Sequence, residues 1–160
     1  MTARRTLALV GSVLGAQLLL ANAAGATGRT QLVDDSGSLP YDAPVTLTWR
    51  SVAPRHGVPD NTLIGSTLVR VRLNVAPWLR RSGRIYLVLP VQPPGDLLAS
   101  WTTQGHLLAG RLRPGGRTLV YSGSLTTPFI EDELQLSVAV DATRLQQLTR
   151  LNFHFEIDED

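Results

Sequence analysis

Cysteine and lysine are both missing from this 160-residue chain, and each absence removes a body of chemistry. Without cysteine there is no disulfide, no thiolate nucleophile and no N-terminal cysteine to carry a lipid. Without lysine there is no Schiff base and no P-loop. Histidine is confined to His56, His106 and His154, spread far apart along the chain. No His-x-x-x-His or Glu-linked pair has metal-ligand spacing, so no metal site is assigned and no cofactor is implied. A Gly-x-Ser-x-Gly elbow is also missing, and Ser122-Gly123-Ser124 reads as a turn. Glycosidase chemistry needs two carboxylates on opposed walls of a cleft. Here Glu131, Asp132 and Glu133 are adjacent and the acids of 156–160 run to the terminus, so both groups read as solvated charge. Asp34-Asp35-Ser36-Gly37-Ser38 is rich in oxygen but lacks the twelve-residue calcium loop and its distal Glu.

Long apolar runs are scarce too. The one present follows Arg4 and Arg5, covers residues 7–20, and leads to the small-residue sites Ala21-Asn22-Ala23 and Ala24-Gly25-Ala26. A charged start, an apolar middle and an Ala-x-Ala exit predict a secretory signal peptide over 1–26, with a mature N-terminus at Ala24 or Thr27. The competing reading is an uncleaved anchor, which Gln17 and Asn22 weaken. Cleavage leaves no stable membrane span and places the protein in the periplasm, outside the cell or on its surface. It also removes two of the fifteen arginines, leaving thirteen against thirteen acids. A neutral working protein is not a general nucleic-acid binder. The all-arginine usage fits a GC-rich bacterial genome.

The remaining charge is segregated. Residues 29–117 carry eleven Arg and five acids, whereas 118–160 carry two Arg and eight acids. Two such halves are expected to pair within one fold.

What is abundant is alternation. Residues 67–75 read Thr-Leu-Val-Arg-Val-Arg-Leu-Asn-Val, with Val69, Val71, Leu73 and Val75 on one side and Leu68, Arg70, Arg72 and Asn74 on the other. That period of two, rich in β-branched residues, marks a strand buried on one face. The same pattern predicts strands over 45–50, 84–91, 97–103, 106–112, 117–122 and 133–141, and in the closing stretch at Leu151, Phe153, Phe155 and Ile157. The 84–91 segment, apolar on both faces, reads as a central strand covered on both sides. Gln104-Gly105 suggests a tight hairpin, 125–130 a short edge segment, and Asp141 the cap of one helical turn over 142–148. Residues 27–44 read as an extended lead-in and 45–160 as a single domain. With eight or nine strands and at most that one helical turn, the fold class is all-β: a two-layer antiparallel β-sandwich, Ig-like or jelly-roll.

Two groups of residues are candidates for binding. Trp78, beside Pro77 and leading into Arg80 and Arg81, is the tryptophan expected to be exposed; it either closes an end of the sandwich or offers a stacking platform. Arg70 and Arg72 point the same way from one strand, about 7 Å apart. They need either a carboxylate ladder, expected from the strands carrying Glu133 and Glu156, or an anion from outside. His154 is expected to act as a cross-strand partner near Glu156. Catalytic residues are not assigned, so the reading leans away from an enzyme. It is an exported β-sandwich that binds another exported or envelope protein or helps assemble a surface structure. The alternative is a carbohydrate-binding domain or a small glycan-active enzyme.

Overall fold

The computed structural model describes residues 29–38, 46–51, 60–93, 96–147 and 151–159. The signal segment, Val45, His56 and most of the 53–61 loop lie outside the described residues. Among the described residues no helix is long and apolar enough to cross a membrane. Nine strands occur there: β1 (Thr30–Val33), β2 (Leu47–Trp49), β3 (Thr62–Asn74), β4 (Ser82–Leu89), β5 (Leu98–Thr103), β6 (Gly110–Leu112), β7 (Gly116–Ser124), β8 (Phe129–Asp141) and β9 (His154–Glu159). They form two antiparallel sheets in the orders β1-β9-β4-β7 and β2-β3-β8-β5-β6. These pack together as the two layers of a β-sandwich.

The long pair β3–β8 is the backbone of the larger sheet, in register from Thr62↔Asp141 to Asn74↔Phe129. Alternation decides which side chains go in. Val69, Val71 and Leu73 from β3 and Leu134, Leu136 and Val138 from β8 are buried, while Leu68, Arg70 and Arg72 face solvent. The smaller sheet meets them with Val33, Ile85, Leu87, Val120, Phe155 and Ile157. Phe153, just before β9, is buried as well.

The lead-in expected over 27–44 carries β1, so the sandwich starts well before residue 45. Four residues that bury only Val33 are too short to show a period. Their place comes from pairing with the C-terminal strand, Val33 against Phe155 and Gln31 against Ile157. β4 is central, as expected, but only one of its faces meets the other sheet. Its outer residues Tyr86 and Val88 are half-buried, and the Arg117 guanidinium lies 3.7 Å from the centre of the Tyr86 ring. An arginine lying flat on an aromatic ring shields it without a second layer.

The β5–β6 hairpin is looser than a two-residue turn. Residues 104–109 cross towards the other sheet, burying Leu107 and donating the Leu108 N–H to the Val120 carbonyl of β7. Ser122-Gly123-Ser124 is the end of β7 rather than a turn, and Phe129 and Ile130 belong to β8 rather than to an edge segment. Asp141 does cap its 3-10 turn (Ala142–Gln147), its Oδ1 accepting the Thr143 N–H at 2.8 Å.

Candidate functional site

On the outer face of the larger sheet the β3–β8 register sets Arg70 opposite Glu133 and Arg72 opposite Glu131. The Nε···Oε1 distances are 3.2 and 3.1 Å. The carboxylate ladder that two adjacent arginines require therefore comes from one strand. Glu133 is where it was expected. Glu156 is not: it lies in the other sheet, where it meets Arg117 at 3.3 Å and its own strand neighbour His154 at 3.2 Å. His154 thus contacts a residue along its own strand, and it also acts electrostatically on Asp35, just past the paired strand β1. The basic and acidic parts of the chain pair with each other, because β8 and β9 carry the acids into both sheets beside arginines from β3, β7 and the turn before β4.

The ladder is open to water. The Arg70 and Glu131 side chains are 72% and 66% exposed, so each pair contributes only about 0–1 kcal/mol. A double-mutant cycle reads this coupling directly. Arg72→Gln with Glu131→Gln is expected to depart from additivity by a few tenths of a kcal/mol, shrinking at high salt. Arg72→Gln with Glu156→Gln should be additive, since the two are in different sheets. Coupling of equal size in both pairs would contradict this register.

At the top of the ladder the Arg72 guanidinium also covers Phe129, 4.2 Å from the ring centre. Gly37 packs on its stem, where a Cβ would come within 3.0 Å of Arg72 Cδ. Between the two rungs Asp132 points the other way, into the sandwich, and is 8% exposed. Val71 of β3 pairs with it on one side, but β5 ends at Thr103, opposite Leu134, and leaves its other side without a strand. The loop that follows fills the gap: Asp132 Oδ2 accepts the Leu107 N–H at 2.7 Å, and Oδ1 accepts the N–H of Glu133 at 2.7 Å. Gly105 lies so close that a Cβ there would be 2.7 Å from the carboxylate.

This buried carboxylate holds the loop that walls two depressions. A trough of about 440 Å³ lies over the ladder, bounded by Gly37 on one side and by Gln104 and Gly105 on the other. A groove of about 610 Å³ adjoins it, lined by His106, Tyr121, Thr127, Pro128 and Phe129 among others. Glu131 lines both.

The other expected site residues are elsewhere. Trp78 is not exposed: it is 5% accessible, in the 3-10 turn Ala76–Trp78 between β3 and β4. Its Nε1–H donates to Glu159 Oε1 at 3.0 Å, while Glu159 Oε2 takes Arg81 at 2.8 Å. Closure of the sandwich end, not a stacking platform, is its role. Arg80 is exposed with a φ of 66°, and its backbone N–H bonds the Leu125 carbonyl. Arg70, Arg72, Trp78, Arg80 and Arg81 therefore do not converge on one site. On the smaller sheet, a hydrogen bond from Arg117, at 2.6 Å, holds Asp158 below the ordinary aspartate range. The oxygen-rich 34–38 stretch is used internally, with Asp34 Oδ1 accepting the Ser36 N–H and the Asp34 carbonyl accepting that of Asn74.

As sequence, the Glu131–Glu133 run reads as solvated charge, and the burial of Asp132 is a finding of the structure. A signal was present: Ile130, Asp132, Leu134 and Leu136 share one parity, so Asp132 lies on the inner face. His106, Tyr121 and Phe129 had no such signal, because loops and sheet edges from three places bring them together.

Comparison with protein-family models, curated proteins and solved structures found no match to this chain.

Proposed function

We propose that this protein is an exported, non-catalytic β-sandwich that binds another protein of the cell envelope through the outer face of its larger sheet. The export part rests on the signal-like 1–26 segment. The binding part rests on one observation: a strip with apolar ends and a middle of paired charges. Leu68, 53% exposed, stands at one end and Phe129, 39% exposed, at the other; the two Arg–Glu rungs lie between. The seven residues of β3 from Leu68 to Asn74, which faces Phe129, span about 20 Å. Apolar anchors around satisfied charges, over the length of a short extended segment, suit a peptide or a partner strand. A glycan would want an open aromatic face. Against that reading, Trp78 is buried, and the open tryptophan among the described residues, Trp49 on β2 at 56% exposure, stands beside Leu63 and so off this strip.

A random linear-peptide display library selected against the full protein tests the proposal. Enriched peptides should shift the backbone amide signals of Leu68, Arg70 and Arg72 on titration. Leu68→Asp, at an exposed position, should weaken them tenfold or more without altering the fold. No enrichment, or binding indifferent to Leu68→Asp, would overturn the reading.

A further inference from the structure

We infer that the groove beside the ladder is a pocket for a cationic side chain, Arg or Lys, of the bound segment. This inference rests on the peptide-binding reading above and adds the chemistry of the partner.

The protein's own Arg72 shows what the Glu131–Phe129 pair accepts. On the trough side a guanidinium is held 3.1 Å from the Glu131 carboxylate and 4.2 Å over the Phe129 ring. Carboxylate and ring together stabilise a cation by ion pairing and by the ring quadrupole. Both residues also line the adjoining groove, where Tyr121 adds a second aromatic ring. Glu131 also faces that side: its side chain is 66% exposed, and it meets Arg72 Nε through Oε1.

The local charge has the right sign. Arg70 and Arg72 stand against Glu131, Asp132 and Glu133, two guanidinium groups against three carboxylates. Asp132 is satisfied by backbone N–H groups rather than by a cation, so its charge is not cancelled within the cluster. Among the described residues no arginine lines the groove; its other titratable groups there are His106 and Tyr121, whose hydroxyl donates to the Ser124 carbonyl. Arg80, bonded through its backbone to Leu125 just before the β7–β8 loop, is not among the lining residues. A groove of this size, with two rings and one open carboxylate, has room for a long side chain entering from the trough.

The test uses the display-selected peptides as the probe. They should carry an Arg or Lys at a fixed distance from the apolar residue that answers to Leu68. Replacing that residue by citrulline or norleucine should weaken binding about tenfold. In Glu131→Gln the same replacement should change binding less than twofold. Glu133→Gln unpairs Arg70 in the same way but does not line the groove, so it should keep the full cation preference. Peptides that depend on Leu68 yet lack a fixed cation, or whose cation effect persists in Glu131→Gln, would overturn this inference and leave the peptide-binding reading standing. Failure of the library to yield any binder would remove both.

Discussion

Phe155→Ala is expected to cost about 3–5 kcal/mol, the range for emptying a large aromatic from a close-packed core. Phe155 is fully buried, and its strand β9 lies between β1 and β4, opposite Val33 on one side and Leu87 on the other. The cavity would open where the two ends of the described chain meet the middle, so neighbouring strands cannot close it without giving up register. Phe153→Ala should fall in the same range, since that ring is 8% exposed. As a control, Leu68→Ala on the solvent face should stay within about 0.5 kcal/mol. Denaturant unfolding reads all three. A loss below about 1 kcal/mol at both phenylalanines would mean that their face is not packed.

Asp132→Ala should be the largest single polar effect, about 2–4 kcal/mol. Two backbone N–H groups would lose charge-assisted bonds of about 1.5–3 kcal/mol each, partly offset by no longer holding a carboxylate out of water. Asp132→Asn keeps one acceptor oxygen and should cost about half as much. Gly105→Ala should also destabilise, because its Cβ would meet the carboxylate at 2.7 Å. The two substitutions share that contact, so Gly105→Ala should be milder in the Asp132→Ala background. Hydrogen exchange at the Leu107 amide gives a local readout: protection should drop sharply in Asp132→Ala while Val71 on β3 stays protected. Equal loss at both would mean that Asp132 supports the whole sheet rather than the loop. Because Gln104 and Gly105 wall the trough and His106 the groove, Asp132→Ala should also weaken any ligand bound there.

The sequence by itself determined the layers. In residues 67–75 and 133–141 the period of two separates a face that must leave water from one that must not, and a strand has only two faces. It also determined that Arg70 and Arg72 needed negative partners, either a carboxylate ladder or an anion from outside, because like charges on one face repel. The parity that would put Asp132 inside is also in the sequence, but a run of three acids reads as solvated charge, so its burial emerges only from the structure. Tertiary structure decided the partners. Whether Glu131 or Glu156 answers Arg72 depends on which strand lies beside β3, and a choice among strands of similar pattern has no local signature. The burial of Trp78 was decided the same way, by a Glu159 carboxylate some eighty residues later that gives the indole N–H an acceptor inside the fold. So was the groove: His106, Tyr121 and Glu131 come from a loop and two strands in different sheets, and only the crossing of residues 104–109 brings them to one wall. Faces are set by neighbours two residues away, whereas partners and pockets are set by chain closures whose stability depends on the whole core.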